Sequence, residues 1–94
     1  MQRRRFPREK VCIPCYFYPD VDTAVPSVML DFSQMGALIK TKILFLNKKF
    51  ISILYQNEKN EVLRISCAIR HVRKQDEEYF YGLQFISIEG RDRV

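Results

Sequence analysis

Apolar and polar residues alternate with a period of two along most of this chain, which is the signature of half-buried strands rather than of amphipathic helices. Val11, Ile13, Cys15 and Phe17 fall on one face of a first predicted strand, 11–18. Pro14 within it lacks a ladder donor and suggests a sheet edge or a bulge. A loop at 19–23 leads to a second strand over 25–32, with Val28, Leu30 and Phe32 assigned to the inner face. A third strand, 37–42, a connection, 44–49, and a short apolar strand, 50–55, follow. The polar run Gln56-Asn57-Glu58-Lys59-Asn60 reads as a hairpin loop. In the next strand, 62–72, Leu63, Ile65, Cys67 and Ile69 oppose Arg64, Ser66 and Arg70, and the same count puts His71 on the core face. After a charged turn at 73–78, Tyr79, Tyr81, Leu83 and Phe85 share one face of the last strand, with Gly82 and Gln84 on the other. Six strands at roughly ten-residue spacing predict an all-β, closed or nearly closed antiparallel barrel, and closure hides edges that would otherwise aggregate. The tail, 87–94, is expected to form at most a short C-terminal helix.

One polar stretch interrupts the alternation. Asp31-Phe32-Ser33-Gln34-Met35-Gly36 sits where the second strand ends and the third begins. Extended-chain spacing places Asp31 and Ser33 on one face, and Gly36 is expected to take a positive φ. Asp31 can only accept hydrogen bonds, Ser33 can donate or accept, and exposed N–H groups near Gly36 can only donate, a set suited to a ligand with both donors and anionic oxygens. Taken alone, a D-x-S-x-x-G segment is more often a capped turn.

Charge changes that picture. The 94 residues carry 16 Lys and Arg against 11 Asp and Glu, a net charge of +5. Residues 1–10 hold Arg3, Arg4, Arg5, Arg8 and Lys10 against Glu9 alone. Composition is equally compatible with a solvated tail and with an arm for an anionic partner. Four arginines tilt the choice, because guanidinium stacks on rings and bonds phosphate or guanine edges bidentately. Phe6 is the arm's lone apolar side chain after Met1 and Pro7 keeps it extended, so 1–10 reads as a flexible basic arm and 11–94 as a single barrel domain.

Several classes are excluded or disfavoured. No run of about 20 apolar residues exists to cross a bilayer, and the Arg-rich start does not resemble a signal peptide, so a cytoplasmic protein is expected. Cys12 and Cys15 form C-x-x-C, but strand alternation sends them to opposite faces; Cys67 and His71 would stand roughly 13 Å apart. No metal site or cofactor is therefore expected, and Cys15 and Cys67 are assigned to the core. A nucleic-acid binder using the arm with Tyr16 and Tyr18 would leave Asp31 unexplained. No nucleophile–base pair is identifiable, so the chain is not read as an enzyme.

The two polar stretches together resemble a known family. Arg4 to Arg8 gives R-x-x-x-R, Asp31 to Gly36 gives D-x-S-x-x-G, and Tyr81-Gly82-Leu83-Gln84-Phe85 looks like the closing strand of a PilZ domain. That resemblance covers nearly the whole chain and implies a six-stranded barrel and a receptor for the second messenger cyclic di-GMP. It carries Arg4, Arg8, Asp31, Ser33 and Gly36 over as ligand-binding residues, and Arg3 as a cation that reaches a second ligand in an intercalated dimer. The implied mechanism is ordering of the arm over the ligand and signalling to a downstream partner protein. A PilZ-like interaction module that binds no ligand is the alternative. Met35 in place of a frequent Gly, and the connection at 44–49 without its usual Gly, depart from the family pattern without touching the ligand motifs.

Overall fold

A computed structural model describes the backbone of residues 9–42 and 48–93. The described residues form six strands: β1 (Glu9–Asp20), β2 (Thr23–Phe32), β3 (Gly36–Thr41), β4 (Phe50–Gln56), β5 (Glu61–Gln75) and β6 (Glu78–Arg93). All neighbours are antiparallel and close into a barrel in the order β1-β2-β3-β6-β5-β4, with β4 returning to β1. The all-β, six-stranded antiparallel barrel expected from the alternation is the observed fold. Among the described residues there is no helix, and hence none long and apolar enough to cross a membrane.

The core fills the barrel with the inward residues of every strand. Cys15 and Phe17 of β1, Met29 of β2, Ala37 and Ile39 of β3, Ile51, Ile53 and Tyr55 of β4, Ile65 and Cys67 of β5, and Tyr81 and Leu83 of β6 are buried together. Phe17 and Tyr81 meet across the middle with ring centroids 4.8 Å apart. At one end Phe32 packs against Tyr55 at 5.9 Å and Phe85 at 5.7 Å. Tilted and edge-on pairs of this kind bury large apolar area and fix side-chain geometry at once.

Two bulges shift the alternation. On β2, Met29 pairs with Ile39 but Asp31 pairs with Leu38, so Leu30 is an extra residue. Parity reverses there. Ser27 and Met29 face inward instead of Val28 and Leu30, and Phe32 still packs on the core. On β5, Ile69 pairs with Leu83 and His71 with Gly82, which makes Arg70 the extra residue. His71 is therefore exposed rather than on the core face. Its ring lies over Gly82, where an added Cβ would stand 2.8 Å from Cδ2, so the space above that glycine is occupied by imidazole.

Element ends also differ from the periodicity. β1 begins at Glu9, so Glu9 and Lys10 belong to the barrel. β5 and β6 run on to a two-residue turn, Asp76-Glu77, where Asp76 has φ 58°, a left-handed conformation that Asp tolerates better than most residues. β6 continues to Arg93, so the tail expected to be at most a short helix is strand. The β4–β5 loop is organised by Asn57. Its side-chain oxygen accepts from Lys59 N–H and Glu61 N–H at 2.9 Å each, and its amide donates to Glu61 Oε1 at 2.9 Å. Asn60 takes the left-handed φ of 64° that the loop needs.

Candidate functional site

The D-x-S-x-x-G segment spans the end of β2, a tight turn and the start of β3. Phe32 is the last residue of β2 and turns its ring into the core, which leaves Asp31 half-buried on the outer side. Irregularities flank Asp31 on both ladders, between Lys10 and Ile13 on β1 and between Met29 and Asp31 on β2. Bulges re-aim side chains, and these two fall where a polar group leaves the barrel.

Ser33 does not share that outer face. The strand has ended, and Ser33 is buried at 7% exposure. Its Oγ accepts from the N–H groups of Met35 and Gly36 at 3.2 Å each and lies 3.4 Å from the Gly36 carbonyl, while its own N–H donates to that carbonyl at 2.9 Å. The hydroxyl thus caps the turn. Gly36 has no positive φ; a glycine stands there because β6 runs close by. An added Cβ would be driven into the Leu83 carbonyl oxygen, 3.2 Å from the carbonyl carbon and 3.4 Å from Gln84 Cα. Phe85 N–H donates to the Met35 carbonyl at 2.7 Å, which fastens the turn to β6.

β1 brings the start of the described chain to this turn. Glu9 pairs with Phe32 and Lys10 with Asp31, so the described chain starts beside the motif and Arg8 precedes Glu9 directly. Arg3, Arg4 and Arg8, and the expected arm ordering, lie outside the described residues. A recess of about 560 Å³ opens at the same end of the barrel, lined by Val11, Ile13, Phe32, Tyr55 and the polar 56–59 loop with Glu61. Nothing in the sequence signalled it, since its wall joins residues from four strands.

The metal and redox readings meet specific geometry. Cys12 is exposed and Cys15 buried on opposite faces of β1, and all three cysteines are free. Burial pushes the Cys15 and Cys67 thiols up to about 12, the Cys67 thiol with a smaller contribution from Cys15. Among the described residues no three metal-ligating side chains cluster.

With the barrel, its closing strand and the capped turn in place, the family model described as PilZ domain matches residues 2–94. The chain belongs to the PilZ domain family. A solved structure of the Bacillus subtilis inhibitor of motility (MotI/DgrA) superposes on 95% of this chain with a TM-score of 0.78 at 14% identity, which is a likeness of fold. This PilZ domain covers 45% of that protein, less than half its length. No curated protein matches the chain.

Proposed function

We propose that this PilZ domain is a cyclic di-GMP receptor that signals to a protein partner. The observation that carries the reading is the register Glu9↔Phe32 and Lys10↔Asp31, because it sets Glu9, the residue that follows the R-x-x-x-R motif in the sequence, beside the D-x-S-x-x-G segment. Cyclic di-GMP presents two phosphates and two guanines. Arg4 and Arg8 supply bidentate donors for phosphate or the guanine O6/N7 edge and planes for stacking. Asp31, half-buried on the outer surface, is suited to accept from guanine N1 and N2. Arg3 reaches a second, stacked ligand, which makes the bound species an intercalated dimer. Ligand binding orders the part of the arm that precedes Glu9 and changes the surface offered to the partner. The role is binding, with no catalytic step.

A second reading has one observation in its favour. The Ser33 hydroxyl and Gly36 both serve the turn and its packing on β6, so both would be retained in a barrel that binds partners without cyclic di-GMP.

Isothermal titration calorimetry of cyclic di-GMP into the wild-type chain and Arg8→Ala, with GTP as control, separates the two. Saturable heat that Arg8→Ala abolishes is expected, with two ligands per chain. A stoichiometry of one removes the dimer, and no heat from a folded wild-type barrel removes the receptor.

A further inference from the structure

The register draws one line across the outer wall of the barrel. Lys10 pairs with Asp31, Asp31 with Leu38, Leu38 with Gly82 and Gly82 with His71, and directly paired residues share a face. β1, β2, β3, β6 and β5 thus contribute to a single row, with the motif carboxylate near one end and an imidazole at the other. Three ladder spacings separate Asp31 from His71, roughly 14 Å along the wall. Between them lie only a half-buried leucine and a buried glycine, so the floor of the row is low.

The β5 bulge brings His71 here. Without Arg70 as an extra residue, alternation would turn the imidazole into the core; with it, the ring stands outside. It leans from β5 over Gly82 with Nε2 and Cε1 leading, in the place that a Cβ on the glycine would take. The side chain therefore reaches along the row in the direction of Leu38 and Asp31. Among the described residues no hydrogen bond or ion pair occupies its nitrogens, and a ring nitrogen can donate or accept according to tautomer.

The surroundings of the imidazole are mostly cationic. Arg70 precedes it and is exposed. In the next row on the same face, Arg73 pairs with Phe80 and Phe80 with Lys40, and the Arg73 guanidinium lies 5.2 Å from the Phe80 ring centroid. On the β4 side Ile69 N–H donates to the Lys49 carbonyl at 2.8 Å, which sets Lys49 beside β5. Glu78 is the acid on this part of the wall, and its carboxylate meets Lys40 at 3.8 Å. Asp76 and Glu77 sit at the hairpin turn, five residues beyond the row on either strand. The row thus has an acidic end at Asp31 and a basic end at His71.

Resting on the cyclic di-GMP reading, the geometry points to His71 as a further ligand-binding residue, whose Nε2 donates to a phosphate oxygen of a nucleotide held by its base at Asp31. An acceptor for base N–H groups at one end and a donor among cations at the other match the polarity of a nucleotide laid along the row. The low floor over Leu38 and Gly82 leaves room for the base and sugar between them. A hydrogen bond to an ionised oxygen is stronger than a neutral one, and Arg70 and Arg73 strengthen the preference for phosphate at that end.

The test is calorimetric titration of cyclic di-GMP into the full chain as wild type, His71→Ala, His71→Phe and His71→Gln, each confirmed as folded by circular dichroism. His71→Ala and His71→Phe are expected to bind at least about tenfold more weakly than wild type. His71→Gln, which keeps a donor at similar reach, should recover most of that loss. His71 is the chain's single histidine, so isotope-labelled histidine gives one imidazole to follow by NMR, and its Nε2 signal should move on saturation of the wild type. Binding by His71→Ala as tight as wild type or tighter, full binding by His71→Phe, a His71→Gln variant no better than His71→Ala, or an unmoved Nε2 signal overturns the inference. The two readings fail differently. A folded wild type that gives no heat removes the receptor and the His71 contact together, whereas binding lost in Arg8→Ala but kept in His71→Ala removes only the His71 contact.

Discussion

Replacing Gly36 with alanine tests the claim that this glycine is dictated by the approach of β6. A Cβ at Gly36 collides with main-chain atoms, the Leu83 carbonyl and then Gln84 Cα, which cannot rotate aside as a side chain would. Relief requires β3 and β6 to separate locally, which strains the Gly36↔Gln84 and Ala37↔Leu83 pairs and the 2.7 Å bond from Phe85 N–H to the Met35 carbonyl. Overpacking of this kind costs about 1–3 kcal/mol, and one weakened hydrogen bond adds about 1 kcal/mol. Restricting the unfolded chain returns roughly 0.4–1 kcal/mol, as for any Gly→Ala change. The net loss is about 2–3 kcal/mol. For a domain of this size that corresponds to a drop of roughly 10–15 °C in Tm.

Gly82→Ala supplies the internal control. It is also buried and also has no positive φ, but its Cβ would meet the exposed His71 ring, which can swing into solvent. A loss below about 1 kcal/mol is expected, and His71→Ala on the Gly82→Ala background should remove most of it. Urea denaturation followed by circular dichroism measures these three variants beside wild type. Gly36→Ala within about 0.5 kcal/mol of wild type, or a Gly82→Ala penalty as large as that of Gly36→Ala, would refute the backbone-approach argument.

Ser33→Ala removes the cap from two turn N–H groups and should destabilise by about 1–2 kcal/mol with no ligand present; an unchanged urea midpoint would contradict the hydrogen-bond assignment. Asn57→Ala leaves the Lys59 and Glu61 N–H groups without their acceptor and should cost about 1–2 kcal/mol, read the same way. Cys12, exposed on β1, should be the one thiol that reacts with Ellman's reagent in the native protein, with Cys15 and Cys67 reacting only on unfolding; rapid reaction of all three would show that the core is open. Burial makes those two thiols hold their protons to about pH 12 when folded, against an ordinary thiol value of 9.0. The unfolded chain therefore loses both protons first, and stability falls as pH rises from 9 toward 12, by about 1.4 kcal/mol per pH unit for each thiol. The urea midpoint of Cys67→Ala should decline less steeply over that range than wild type, whatever its absolute level; equal slopes would remove the thiol from the alkaline loss.

Alternation made the fold legible because each strand of a closed barrel buries one face, and a period of two survives wherever the ladder is regular. In β4 and β6 the inward sets, Ile51, Ile53 and Tyr55 and then Tyr81 and Leu83, can be counted directly from the chain. The counting fails at Leu30 and Arg70, because a bulge is a mismatch between two strands and neither strand alone records it. Both errors follow: Val28 and Leu30 taken inward, and His71 assigned to the core. At the site, residue types were legible and geometry was not. The glycine at 36 was readable as a constraint, but its cause lies in a strand more than forty residues further along. The continuation of β6 to Arg93 was hidden for a similar reason, since Ile86 and Ile88 are exposed and leave no buried stripe to count.

The two polar stretches thus divide by role in a way that their spacing alone does not reveal. Ser33 and Gly36 are needed for the turn whether or not a ligand ever arrives, since one caps it and the other lets β6 pass. A variant at either position that lost cyclic di-GMP binding would be compatible with a damaged turn as readily as with a lost contact. Asp31 differs, because the bulges on both neighbouring ladders turn it outward from a strand whose inner face is already filled by Phe32. The arginines differ too, because Arg3, Arg4 and Arg8 all precede Glu9, the first residue of β1, in the sequence. The receptor reading therefore stands or falls on the acidic end of the motif and on the arm. This is why Arg8→Ala, and not a change at Ser33 or Gly36, is the variant that distinguishes a messenger receptor from a barrel that has kept the motif for its fold.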